Sequence, residues 1–305
     1  MKKIKESART VSSTSEKVFY VFTHIFLILI CSTVLLSFLL LLGSSFQSQQ
    51  EIYQVGYQII PKAISFEAYE TLFSNPKSVI DAYGVTILTT VIGTILGVLF
   101  TGGYAYAISR HEFAYRKAFS LVNLFSMLFN GGLVATYIVY TRWYGLKDNI
   151  WVLIWPMLYN PWNITLMKSF FTALPNSIIE AARIDGAGEL HIFFKFVIPM
   201  SKPVFATIAL FLALVYWNDF QHVMLYITDE GLYKLQYLLQ KILTDAQFMN
   251  STAAQMMGVN LDVVEVPTEN LRMAMCVVAA GPMMCIFPFF QKYFTKGISL
   301  GGVKE

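Results

Sequence analysis

The strongest constraint on this chain is a set of stretches that contain no Lys, Arg, Asp or Glu. They are Val18–Gly43 and beyond, Ala82–Ser109, Ala118–Thr141, Asn149–Met167, Pro203–Asn218 and Met273–Gln291. A helix needs about 20 such residues to cross the hydrocarbon core of a membrane, and inside that core every backbone polar group must be satisfied internally. The first three stretches clear this length easily, and the fourth and sixth just reach it. The fifth reaches it only if Asp219 to Ile227 continue it, which sets a carboxylate close to one membrane face. The expectation is an all-α integral membrane protein with six transmembrane helices. Composition agrees, since 56 % of the 305 residues are hydrophobic and 13 % charged, with a mean hydropathy of +0.55. That is about half the charge of an ordinary soluble protein, too little to solvate a surface. The first stretch is too long for a signal-peptide core and is followed by no small-residue cleavage site, so it reads as a retained span.

Six crossings put both termini on one side. That side collects the N-terminal basic residues, the loop after the second stretch, the loop after the fourth and the C-terminus, and with them fifteen of the 22 Lys and Arg. The excess of Lys and Arg on cytoplasmic loops places both termini in the cytoplasm. The organisation is then a cytoplasmic segment 1–17, a membrane domain 18–294 and a cytoplasmic tail 295–305. On the outer side, loops of about 44–81 and 228–272 are long enough to form small caps. The patch GSSFQSQQ at 43–50 reads as the exit from the first span.

Several functions are excluded. No basic run is dense enough for nucleic acid, and Cys31, Cys276 and Cys285 lie in apolar runs without metal-ligand spacing. There is no Gly-x4-Gly-Lys-Ser/Thr phosphate loop, nor even a Gly-Lys dipeptide, so the chain holds no ATP of its own. None of the four histidines sits in a zinc-protease HExxH pattern, and no catalytic constellation is visible. Carboxylates inside spans, which mark the path of a proton- or sodium-coupled carrier, are limited to Asp219 at a span end. A self-sufficient secondary carrier or channel for a polar solute is the rival class; it predicts transport by this chain alone.

One segment contradicts the lipid-like character around it: EAARIDGAGELHIFFKFVIPM, residues 180–200, on the cytoplasmic side. Ser177 and Glu180 have capping-box spacing, and Ala181 and Ala182 are strong helix formers. Asp185-Gly186 is a turn signal in which Gly186 can take the left-handed geometry that ends a helix. A second helix then runs from Glu189 to about Val197, ended by Pro199. From the residues alone, this helix-turn-helix of about 175–200 is equally a knuckle for another protein's cleft or an interfacial loop resting on headgroups.

Glu180-Ala181-Ala182, then Gly186, then Phe196-Val197-Ile198-Pro199 resembles the EAA signature of permeases in binding-protein-dependent ABC importers. Phe196 and Ile198 stand where that pattern has Ile and Leu, and both remain apolar. Four stretches (129–156, 161–187, 199–220 and 291–305) are similar to the carbohydrate, maltose-type branch, and in particular to its oligosaccharide- and lipoprotein-dependent subgroup. The likeness runs from about residue 60 to the end, while the first span is only generically similar. The resemblance implies the type I importer permease fold and a place in a bacterial cell membrane. It further implies a second, homologous but non-identical permease, two copies of a cytoplasmic ATPase that uses ATP and Mg, an extracytoplasmic binding lipoprotein and an oligosaccharide substrate. Glu180, Ala181, Ala182, Asp185, Gly186 and Pro199 would form the coupling segment gripped by the ATPase. The tail from Gly297 to Lys304 would lie against the ATPase pair.

Two polar clusters break the apolar runs: Tyr159, Asn160, Trp162 and Asn163, and Trp217, Asn218 and Asp219. Amides are too costly to face lipid, so these residues point to a bundle interior or to water. Aromatic faces with amides are also how sugars are held, so the clusters are candidates for a substrate path. They are equally explained as an interfacial aromatic belt and as helix-linking amides. Gly93, Gly97, Gly102 and Gly103 permit close helix approach. Asn130-Gly131-Gly132 predicts an irregular third span, and Pro156, Pro161, Pro282 and Pro288 predict kinks.

Overall fold

The structure, a computed structural model, describes residues 14–249 and 268–297. Most of the segment 1–17, part of the outer loop 228–272 and most of the tail 295–305 lie outside the described residues. Among the described residues there is no strand. The chain divides into two compact units, one of residues up to Leu72 with Asp262–Val277, the other of Phe73–Leu261 with the residues from Val278 on.

The first unit holds helices α1 (Thr14–Ser44), α2 (Gln49–Val55) and α3 (Glu67–Leu72), and the start of the last helix, α14 (Glu269–Gly297). Apolar residues surround α1 on all sides and stay exposed, as expected of a rod facing lipid. The 43–50 patch is more than an exit from it. Ser44, Ser45, Gln47 and Gln49 are buried, and Gln49 Oε1 accepts from the backbone N–H of Glu269 at 3.1 Å. Asn270 Nδ2 donates to the Gln47 carbonyl at 3.2 Å. The start of α14, whose first N–H groups have no partner within the helix, is thus capped by the Gln49 side chain, some 220 residues earlier in sequence.

The second unit is built on α4 (Pro76–Ser109), which packs against α5 (Arg116–Leu128), α7 (Pro161–Thr172), α11 (Lys202–Trp217) and α13 (Leu235–Met249). Lipid removes the usual hydrophobic drive between helices, so close backbone approach does more of the work. A β-carbon added at Gly93 would meet the Tyr216 ring at 2.4 Å, and one at Gly97 the Leu212 side chain at 2.9 Å. Gly102 sits under Phe205, whereas Gly103 faces open space. Of the four glycines, Gly103 therefore takes no part in the approach.

Only three described helices are long and apolar enough to cross a membrane unbroken: Lys17–Ser44, Pro76–Ser109 and Glu269–Pro288. The third predicted span is α5 followed by Leu133–Trp143, bent by 117°. That second piece is α6 (Leu133–Ile138) widening into a π-helical turn, Val139–Trp143. The break lies at the predicted Asn-Gly-Gly, with Gly132 at φ +83°. The fourth span is not one rod either: two 3₁₀ turns, Ile150–Leu153 and Trp155–Met157, precede the 12 residues of α7. Such backbone is tolerated at membrane depth only where protein or water satisfies it. Here Val152, Leu153 and Ile154 are buried, and the Tyr216 hydroxyl donates to the Ile154 carbonyl at 2.9 Å.

The prolines divide in effect. Pro161 is the first residue of α7, where its missing N–H costs nothing. Pro156 lies in a 3₁₀ turn, and Pro282 and Pro288 lie inside α14. Pro282 cannot donate to the Val278 carbonyl one turn back, and the Tyr83 hydroxyl donates to that carbonyl instead at 2.8 Å.

Candidate functional site

The 175–200 segment begins with α8 (Asn176–Ile184), capped by Pro175. The expected capping box does not form. Pro175, with its fixed φ of −60°, starts the helix two residues before Ser177, so Ser177 is already helical and no side chain caps the end. Glu180 is left exposed, with no side-chain partner among the described residues. The predicted ending is present as a full Schellman motif. Gly186, at φ +81°, donates its N–H to the Arg183 carbonyl, and Ala187 donates to that of Ala182, both at 2.9 Å.

The second arm starts at Glu189 but does not stop before Pro199. It runs as α9 (Glu189–Ile192), a π turn over Phe193–Val197, and α10 (Ile198–Met200), and then bends 88° into α11. Through the π turn the Ile198 N–H reaches back to Phe193, five residues away. We attribute the survival of Pro199 within the arm to this wider coil, which relieves the clash a proline ring makes with the preceding turn.

Burial splits the segment into two faces. Ile179, Ala182, Ile192, Phe193 and Val197 join the core formed with Tyr106, Phe171, Phe205 and Ile208. The opposite face shows Ile184 and Leu190, 87 % and 75 % exposed, beside Glu180, Ala181, Asp185 and Gly186, all exposed. The two arms are tied by charge. Arg183 bridges Glu189 on the second arm and Glu112 in the loop after α4, both at 2.9 Å. Tyr106 Oη of α4 donates to the other Glu189 oxygen at 2.6 Å. The Arg183 hydrogen bond holds the Glu112 carboxyl below its ordinary range, and the same bond raises the Arg183 guanidinium. The sequence shows the segment's charged residues but not this tie, because Glu112 lies some 70 residues upstream.

The polar clusters are mostly occupied. Asn160 is the N-cap of α7, its side chain accepting from the Asn163 N–H at 3.1 Å. Tyr159 packs against Phe100 and Tyr104 and donates to Asn123 Oδ1 at 3.4 Å. The Trp217 indole donates to the Ala279 carbonyl at 2.9 Å, and Asn218 bonds the Leu214 carbonyl and Gln236. Asp219 is buried, accepting from His222 at 2.8 Å and from Lys234 at 3.2 Å. Lys234 falls in the predicted outer loop yet is wholly buried, a place a lysine holds only with a partner. Trp162 and Asn163 remain: the indole is exposed, and Asn163, a buried residue, makes no side-chain hydrogen bond among the described residues.

Comparison with known proteins fits this arrangement. The profile of the family described as binding-protein-dependent transport system inner membrane component matches residues 93–300. The chain belongs to that family. It is 37 % identical over 290 residues to Protein LplC of Bacillus subtilis (strain 168), covering 94 % of this permease and 95 % of LplC. It is 35 % identical over 279 residues to the polygalacturonan/rhamnogalacturonan transport system permease protein YtcP of the same organism, covering 92 % and 96 %. Among solved structures, a chain of a bacterial ABC transporter involved in importing the acidic polysaccharide alginate superposes with a TM-score of 0.74 at 29 % identity. That match covers 92 % of this permease and 98 % of that chain. The protein is thus a membrane-embedded transport subunit of an ABC importer.

Proposed function

We propose that this permease forms, with a second homologous but non-identical permease, the path for an oligosaccharide or glycan fragment. A binding lipoprotein delivers the substrate outside, and two copies of a cytoplasmic ATPase, using ATP and Mg, drive it. The polygalacturonan and rhamnogalacturonan carried by the YtcP system and the alginate of the solved importer support the glycan class. The observation that carries the coupling role is the two-faced 175–200 segment. Its inner face is locked into the core, while Ile184 and Leu190 stand almost bare beside Glu180 and Asp185, both exposed and in no ion pair among the described residues. Exposed apolar side chains rimmed by charge are what a docking surface offers, and they support this reading. In this reading both termini are cytoplasmic, and ATPase closure pushes the knuckle and switches the bundle between two packings. For substrate contact, Trp162 and Asn163 are the residues of the two clusters whose side chains are not already bound.

The test is co-purification. The tagged permease, expressed with its partner permease and ATPase, is expected to retain the ATPase. Glu180→Lys reverses an exposed charge, and Gly186→Pro forbids the left-handed turn; both should cut ATPase recovery about tenfold or more, the equivalent of about 1.4 kcal/mol. Partner-permease recovery should be unchanged. ATPase recovery equal to wild type in both variants refutes the coupling role.

A further inference from the structure

An open cavity of ≈ 840 Å³ lies between the turn after α4, the first turns of α5 and Lys168 of α7. This is within the usual size of small-molecule sites, about 300–1,000 Å³. Its wall carries His111, Arg116, Lys117 and Lys168 and no carboxylate. None of Arg116, Lys117 and Lys168 is in an ion pair among the described residues. The chain holds two of these cations in place. Arg116 Nε donates to the Ile108 carbonyl at 3.1 Å, and its Nη1 lies 2.7 Å from His111 Nδ1. Lys168 Nζ donates to Ser120 Oγ at 3.2 Å. Among the described residues these bonds leave Arg116 Nη2, two protons of Lys168 and the whole Lys117 ammonium without an acceptor. Like charges gathered without a counter-charge repel one another, so the cavity is arranged for an anion.

Its depth narrows the choice of anion. Lys168 lies one turn before the end of α7, which leads directly into α8. The cations therefore sit where apolar helices meet the charged segment. Further along α5, Leu121 and Leu124 complete the wall and are exposed. Three residues apart, they share a helix face. A small inorganic anion uses only the charged end of such a wall. A phospholipid uses both ends, phosphate against the cations and acyl chain along the leucines, and basic pockets between spans at this depth suit lipid headgroups.

We propose that this cavity binds the headgroup of an anionic phospholipid through Arg116, Lys117 and Lys168, with an acyl chain on Leu121 and Leu124. The test equilibrates the purified, assembled importer with equimolar phosphatidylglycerol and phosphatidylcholine and counts retained lipids by native mass spectrometry. Wild type is expected to prefer phosphatidylglycerol by about tenfold or more. The variant Arg116→Gln/Lys117→Gln/Lys168→Gln should lose that preference, while Lys17→Gln/Lys202→Gln, two cations outside the cavity, keeps it. Lys117→Gln alone, at a side chain with no partner among the described residues, should lower it several-fold and guards against misfolding of the triple variant. Equal retention of the two lipids by wild type overturns the proposal, as does a preference untouched by the cavity variants. Displacement of phosphatidylglycerol by an equal concentration of inorganic phosphate also overturns it, because the site then serves a free anion. So does a preference shown by the isolated permease and abolished on assembly, because another subunit then covers the site.

Discussion

A β-carbon at Gly93 would lie 2.4 Å from the Tyr216 ring, nearer than real contacts allow. The ring cannot retreat, since Tyr216 is fully buried and its hydroxyl is bonded to the Ile154 carbonyl. Gly93→Val therefore has to separate α4 from α11, and overpacking of this kind costs about 1–3 kcal/mol. Gly103, two turns and more along the same helix, faces nothing within 4 Å. There Gly103→Ala should leave stability unchanged or raise it by up to about 1 kcal/mol through helix propensity. Thermal unfolding of the purified importer in detergent compares the two, and a Gly93→Val protein as stable as wild type removes the close-approach account. The glycine spacing alone treats both positions alike; which of them has a neighbour depends on a tyrosine more than 100 residues away.

At the scale of the element, the two arms of the coupling segment are joined by the Schellman turn at Gly186 and by the Arg183 tie to Glu189 and Glu112. Glu112 is exposed, so the tie is a surface pair of modest strength, about 0.2–1 kcal/mol by comparison with measured pairs. Arg183→Gln should therefore lower the exchange protection of the Gly186 and Ala187 amides by up to about fivefold at neutral pH. Because the folded-state pKa of Glu112 is depressed, its share of the tie is complete above the ordinary carboxylate pKa. That share is lost as pH falls through the lower folded value. The difference between wild type and variant should shrink on that acidic side by the Glu112 share. Hydrogen exchange corrected for intrinsic rates checks this, and equal protection at neutral pH shows that the turn alone holds the arms. Helix, turn and second arm were legible from local residue types. The missing capping box was not, because Pro175 and Ser177 compete for one helix start and the proline's fixed backbone prevails.

For the whole molecule, the test is reconstitution. Proteoliposomes holding the two permeases and the ATPase pair should accumulate a labelled oligosaccharide only with binding protein outside and ATP inside. Undiminished uptake by this chain alone would favour a self-sufficient carrier. Length and hydropathy add up residue by residue along a chain, and so do motif spacings. For that reason the membrane-embedded character, the helical runs and the coupling segment could be read from order and composition alone. Whether a polar group inside those runs is free or engaged depends on which distant atoms lie within about 3 Å of it. Trp217 is committed to a carbonyl of α14, Asp219 to a buried lysine, and Asn160 to the start of its own helix. The third run, continuous in hydropathy, is bent at Asn130-Gly131-Gly132, where the Gly132 N–H takes the Asn130 side chain, and the fourth is rebuilt as 3₁₀ turns whose Ile154 carbonyl finds the Tyr216 hydroxyl across the bundle. Sequence settled what this protein must be surrounded by; only packing in three dimensions decided which of its polar side chains were left over for a substrate, an ATPase or a lipid.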